Sequence, residues 1–365
     1  MASGSGQVLP RNRLSASEKV GLVLNLLPIP IVVSWTLLKS VFSNSARSKG
    51  WRRVAFNQFC FWVFSRLNRR QVRVVFGETL DTYNGFMKSI KMEPLVEELD
   101  GSGRLLWVGP KRTEHVALYF HGGGFLFGGL DAVPKLWIHM QDNLKQRGKP
   151  LGVALLNYTL VPDATFPTTL KESVIAIQHL IDSGIKPENI IIAGDSAGGA
   201  MVHGLLSHML HPLDGIPELK LSAPLAGAYL MSPWVIMRDG KILHDNVNRG
   251  DILDPPTVVY WGAKVLKDVP AEAIPYLEGT RAPSNWFEGI DKVVKHILIS
   301  AGEEEVLRDS IVSYAKTVEK FHPDAAFYMD EGCIHVEPFI FFAVGQPDRA
   351  KLIPFILEWL DKTFL

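Results

Sequence analysis

The chain has 365 residues, 47% hydrophobic and 21% charged, with 38 Lys+Arg balanced by 38 Asp+Glu; this suffices for a large buried core and excludes disorder and collagen-like repetition. A formal charge of zero supplies no overall basic field, so nucleic acid is not an expected partner. Only two cysteines occur, Cys60 and Cys333, with neither the spacing of a disulfide framework nor that of a metal site.

The zero conceals an asymmetry. Residues 1–75 carry twelve basic side chains, Arg11, Arg13 and Arg47 among them, against the single acid Glu18, a surplus of eleven that the rest of the chain cancels. A cationic first part joined to an acidic body suggests contact with an anionic surface.

Between Lys19 and Lys39 lie 19 uncharged residues. As a helix they would reach roughly 28 Å at ~1.5 Å per residue, close to a hydrocarbon core of ~30 Å. Asn25, Pro28 and Pro30 interrupt the run and leave open a segment that dips into one leaflet. A cleaved signal and a buried helix are the rivals, the first opposed by the length of the run and the lack of a small-x-small site before Arg47. Residues 51–70 then bracket Phe56, Phe59, Phe61, Trp62 and Phe64 with arginines, which suits a helix at headgroup level, a helix packed on the body, or a lid touching both. Three basic residues before the apolar run and five soon after it favour a cytosolic body only slightly.

From about residue 100 short apolar runs recur at 104–108, 116–120, 152–157, 190–193, 227–231, 296–300 and 326–329. Longer intervals separate them, two with helical apolar spacing at 170–181 and 350–365. This alternation predicts an α/β architecture, a mostly parallel central sheet covered by helices. Residues 233–283 break the pattern with Trp, Pro, Asp and Asn, the texture of an insertion over a site.

Two motifs stand at strand ends. Gly194-Asp195-Ser196-Ala197-Gly198 fits G-x-S-x-G directly after an apolar strand, where a sharp turn into a helix would project the Ser196 hydroxyl from the sheet. Ala197 would present its amide at a helix N-terminus, facing developing negative charge. The run His121-Gly122-Gly123-Gly124-Phe125 follows the strand at 116–120, and its glycines let backbone amides approach an oxyanion without an intervening Cβ. Neither a Walker loop nor a dinucleotide fingerprint is present, so no cofactor is expected, and no metal.

With these motifs residues 100–365 resemble the hormone-sensitive-lipase-like α/β-hydrolases, whose layout with an N-terminal apolar anchor is similar to the membrane-anchored arylacetamide and steryl-acetate deacetylases. Asn157-Tyr158-Thr159-Leu160-Val161-Pro162, Phe166-Pro167 and Ser232-Pro233-Trp234 carry the same resemblance. It implies an α/β-hydrolase fold with an anchor over 1–45, cap or lid helices over 46–100, and a catalytic domain over 101–365. Within that domain a cap insertion at about 235–283 follows the sixth strand. It also implies a triad in the order Ser, acid, His. Residues 301–309, AGEEEVLRD, align with the family's D-P-L-R-D so that Glu305 takes the acid's place, with Glu303, Glu304 and Asp309 as rivals. His335, thirty positions on, falls where the family has its histidine, and Val336 stands where a small residue is common. Gly123, Gly124 and Ala197 form the expected oxyanion hole, while His121, Gly122 and Asp195 are expected to support the motif. Cys333 is expected to be incidental.

The implied activity is serine ester hydrolysis, acting on a small lipophilic ester with a short acyl group. The membrane is the expected partner through the N-terminal segment, with the endoplasmic reticulum as the expected compartment. Acyl transfer, cyclisation or elimination on the same fold, amide or thioester cleavage, and a non-catalytic receptor like the plant gibberellin receptors remain as competing readings. The last is opposed by His335.

Overall fold

The protein is described here by a computed structural model covering residues 14–43, 49–239, 243 and 250–364. Arg11, Arg13, Arg47 and parts of the expected insertion, 240–242 and 244–249, lie outside the described residues.

The apolar runs become one eight-stranded sheet. Its strands are β1 (Leu95–Glu98), β2 (Arg104–Trp107), β3 (Val116–Phe120), β4 (Gly152–Asn157), β5 (Ile190–Asp195), β6 (Leu225–Met231), β7 (Val294–Gly302) and β8 (Ala325–Asp330), in the order β1-β2-β4-β3-β5-β6-β7-β8. β1 and β2 pair antiparallel at one edge. The other six are parallel.

Alternation along the strands makes two cores. Leu118, Phe120, Ile190 and Ile192 enter one, with helices Thr168–Asp182, Ala197–Leu210 and Arg308–Glu319. Ala117, Tyr119, Ile191 and Ala193 enter the other, under helices Ala132–Gln146, Glu337–Ala343 and Leu352–Thr363. Burial on both faces explains why the parallel strands read as continuous apolar runs. The chain leaves β3 for β4 on one side and returns to its other side as β5, so the order reverses there; a crevice at the carboxyl ends of strands flanking such a reversal is the expected ligand position.

β1 was not legible as a strand. Leu-Val-Glu-Glu has too few apolar residues to stand out, because an edge strand needs little burial. The sheet therefore begins at Leu95, inside the segment expected as cap alone. The helix Thr79–Ser89 before it also belongs to the body, with Tyr83, Phe86 and Met87 in the second core.

The N-terminal apolar stretch is helical from Ala16 to Ser40, interrupted at the prolines into Ala16–Leu26 and Ile29–Ser40. No residue of either half is buried. Leu22, Leu26 and Ile29 touch the core, while Val20, Val23, Leu24, Leu27, Ile31, Trp35 and Leu38 form an exposed stripe at helical spacing. The segment lies along the aromatic helix Trp51–Arg66: Thr36 Oγ1 donates to Gln58 Oε1 at 3.1 Å, and Trp62 Nε1 to the Asn25 carbonyl at 2.7 Å. That aromatic helix in turn sends Cys60, Val63 and Phe64 into the first core.

Candidate active site

Ser196 stands between the last residue of β5 and the first of helix Ala197–Leu210. Its φ of 52° and ψ of −115° are strained for a residue with a side chain. Three backbone bonds hold it: Ser196 N–H donates to the Met231 carbonyl at 2.9 Å, and its own carbonyl accepts from Trp234 at 2.9 Å and Ala200 at 3.1 Å. Gly198 is required by a close approach, since a Cβ there would collide with the Phe120 carbonyl of β3.

The glycine loop after β3 lies beside this elbow. Gly123, at φ 106°, is closed over a tight turn in which its carbonyl accepts from Leu126 and Phe127. The amides of Gly123, Gly124 and Ala197 donate to no acceptor among the described residues. Gly122 N–H instead donates to Asp195 at 2.8 Å, and Tyr119 also donates to that carboxylate. Burial pushes the Asp195 carboxyl up to about 6 against those bonds, so it braces the loop from beneath. His121 is wholly buried; burial drives it down to about 4 and keeps it neutral. Its Nδ1 donates to the Gly122 carbonyl at 2.6 Å and its Nε2 accepts from Thr79 Oγ1 at 3.0 Å, while its ring stacks on Tyr158.

Glu305 and His335 occupy loops after β7 and β8. His335 Nδ1 faces Glu305 Oε1 at 3.6 Å, just beyond hydrogen-bond reach, and neither atom has another partner among the described residues. The second carboxylate oxygen is fixed: Glu305 Oε2 accepts from Ser232 Oγ at 2.6 Å and Gly302 N–H at 2.8 Å. Burial works to lower the His335 pKa, but Glu305, Asp251 and Asp195 outweigh it and the net direction is upward. The rivals for the acid point elsewhere: Glu303 accepts from Gly332 N–H, Glu304 pairs with Lys49, and the exposed Asp309 pairs with Arg308. Val336 adopts a left-handed conformation at φ 48°, which a β-branched side chain disfavours, and its N–H donates to Ser232 Oγ at 3.3 Å. Both cysteines are buried with their thiols raised, which removes them as nucleophiles.

Ser196, His335 and Gly122 to Gly124 open onto one narrow cavity of about 70 Å³. Apart from Asp195 its remaining wall is mostly apolar, and three of its rings come from distant parts of the chain. Phe64 belongs to the N-terminal cap, Trp261 to the insertion helix Pro255–Val265, and Phe127 to the loop after β3. Their rings pack together, Phe64 stacked on Phe127 at 5.3 Å and edge-on to Trp261 at 5.4 Å.

Two residues near the base escaped the sequence reading. Ser232 was visible only as part of Ser-Pro-Trp, yet its hydroxyl bridges the acid and the backbone beside the base. Asp251 gave no signal, being one acid in an irregular insertion. It is buried and accepts from His335 N–H at 3.1 Å and Val306 N–H at 2.8 Å, tying the two loops together.

The profile of a family described by its alpha/beta hydrolase fold matches residues 117–338. The chain belongs to that family. An acetyl-hydrolase of Streptomyces hygroscopicus is 28% identical over 209 residues, 56% of this chain and 62% of the relative. Human hormone-sensitive lipase is 35% identical over 103 residues, 26% of this chain and 9% of the relative. The chain thus spans less than two thirds of these curated relatives. Among solved structures, an esterase of the bacterial hormone-sensitive lipase family superposes with a TM-score of 0.64 at 21% identity, covering 86% of this chain and 98% of the other. At that identity the likeness speaks for the fold alone. The hormone-sensitive-lipase-like resemblance inferred from HGGGF and GDSAGG agrees with all three.

Proposed function

We propose that the protein is a serine carboxylic-ester hydrolase that removes a short acyl group, acetyl above all, from a lipophilic alcohol. The observation that carries the reading is the alignment around one cavity: a strained Ser196, an upward-shifted His335 whose free Nδ1 faces the free oxygen of Glu305, and three undonated amides. In this mechanism His335 Nε2 takes the Ser196 proton as Oγ attacks the ester carbonyl. The amides of Gly123, Gly124 and Ala197 hold the oxyanion, and Glu305 orients the imidazole and stabilises imidazolium. His335 returns its proton to the departing alcohol, and water then cleaves the acyl-enzyme with His335 as base.

The rings of Phe64, Phe127 and Trp261 that wall the cavity beside Ser196 support a compact acyl group. The acetyl-hydrolase name of the Streptomyces relative points the same way. Attachment to a membrane is supported by the 25-residue apolar helix with its exposed stripe. Because that helix lies along the cap, shallow insertion into one leaflet fits it better than a free-standing span. Beside its first turn, Arg69, Arg70, Lys264 and Lys267 line a depression of about 440 Å³ together with Glu18, which pairs with Arg70, a net positive lining suited to anionic headgroups. The endoplasmic reticulum rests on the resemblance to the deacetylases alone.

The test is a series of p-nitrophenyl esters from acetate to palmitate, assayed with wild type and Ser196→Ala in detergent. An acetate optimum and a loss on the order of 10⁶-fold in kcat for the variant are expected. A flat profile indifferent to Ser196→Ala would sink the proposal, and acyl appearing on an added alcohol would mark a transferase instead.

A further inference from the structure

The N-terminal cap does more than cover the cavity. Two of its cations, Lys49 just before the helix Trp51–Arg66 and Arg53 in its first turn, reach the two loops that carry Glu305 and His335. Lys49 Nζ pairs with Glu304, the residue before Glu305, and both side chains are mostly shielded from solvent. Arg53 sets Nε and Nη2 on the two oxygens of Glu337, two residues beyond His335, with both side chains 2% exposed. The same Glu337 carboxylate accepts from Ile334 N–H at 2.8 Å, closing the turn on which His335 sits. The fork held by Arg53 therefore fixes the rotamer that closes the turn.

Resting on the esterase reading, we propose that Lys49 and Arg53 are positioning residues: a two-point latch by which the entry into the helix Trp51–Arg66 sets the spacing of the acid and base loops. The physical reason lies in the distance between them. Glu305 and His335 stand 3.6 Å apart, at the edge of hydrogen bonding, and a displacement of about 1 Å is enough to change a rate about 10²-fold. The loops also touch directly, through Glu304 N–H to the Cys333 carbonyl at 2.8 Å and through Asp251. Those contacts join the loops to each other and to the insertion. The Lys49 and Arg53 pairs each grip one loop, and a planar guanidinium is the side chain that can fix both oxygens of a carboxylate at once.

The experiment uses the full chain. Lys49→Met, Arg53→Lys, Arg53→Met and Arg53→Met/Glu337→Met are compared with wild type by thermal midpoint, by kcat and KM on p-nitrophenyl acetate, and by the pH profile of kcat/KM. The double variant removes the pair without stranding a buried carboxylate. With assays run well below each midpoint, kcat is expected to fall about tenfold for Lys49→Met and about 10²-fold for Arg53→Met, with KM within about threefold. Arg53→Lys restores the charge without the fork, so it should recover only part of the rate. A looser Glu305 contact also moves the acid limb to lower pH. That limb reflects His335 facing Glu305 from the β7 loop, Asp251 from the insertion and Asp195 from β5.

The proposal is overturned if Lys49→Met and the double variant keep wild-type kcat and pH profile, or if their losses simply follow the fraction unfolded. A fluorophosphonate probe separates this from failure of the underlying reading. If wild type is labelled and Ser196→Ala is not, the esterase reading stands and the latch is judged on the variants. If wild type is not labelled, the esterase reading falls and takes the latch with it.

Discussion

The two walls of the cavity are made in different ways. The floor, from β3, β5 and their loops, is local: Ser196, Ala197 and the glycine loop sit within a few residues of strand ends, held by backbone bonds to neighbouring strands. The roof is long-range, with Phe64 and Trp261 brought from an N-terminal helix and an insertion nearly two hundred positions apart. His335 stands between them, supported by Ser232 from the loop after β6, by Asp251 from the insertion, and by Glu337 of its own turn, which Arg53 grips from the cap. On the proposed function, the contrast puts the chemistry in the floor and acyl-length selection and fine positioning in the roof.

Replacing the acid tests the floor most severely. Glu305→Gln keeps the shape but removes the charge opposite His335, and kcat should fall about 10⁴-fold with the fold intact by circular dichroism. The pH profile gives an independent reading. In wild type His335 must be neutral to act as base, and its pKa is raised above the ordinary value of 6.5. Activity should therefore decline as pH falls through a point above 6.5. Glu305→Gln removes a negative charge that favours imidazolium, so the residual activity should persist to lower pH. A limb that stays in place would assign it to another group.

Ser232→Ala is a milder break. It deletes the hydroxyl donating to Glu305 Oε2 and leaves a buried carboxylate oxygen with one bond fewer. Such a loss is about 1–3 kcal/mol; kcat should drop roughly tenfold with a lowered thermal midpoint. The smallest effect on rate is expected in the roof. Trp261→Ala should leave acetate turnover within about threefold while raising relative activity on butyrate and hexanoate, because the cavity gains room. It should also cost about 3–5 kcal/mol of stability, read by denaturant unfolding. An unchanged acyl profile would remove the roof from specificity.

The sequence carried the floor well because its requirements are local. A sharp turn needs small residues, a buried parallel strand needs an apolar run, and both leave marks within ten positions of Ser196. Glu305 was harder, since four acids crowd the stretch 303–309 and periodicity cannot say which one turns inward. Its selection follows from bonds to Ser232 and Gly302, contacts that only the folded sheet creates. Asp251 and Arg53 left no mark for the same reason: an acid in an irregular loop and one arginine among twelve early cations resemble surface charge until their partners are known. β1 was missed because half of its four residues are glutamate.

The separation of Arg53 from Glu337, 284 residues along the chain, has a consequence for how the enzyme is made. At about 5–20 residues per second the cap helix leaves the ribosome roughly a quarter of a minute to a minute before the carboxylate that receives it. During synthesis the apolar helix Ala16–Ser40 therefore emerges before the body it lies against is finished. The serine elbow is also complete before His335 exists, so on the proposed function a chain interrupted ahead of it has no base. On the proposed function, the site is complete only when β8 and its loop have joined the sheet.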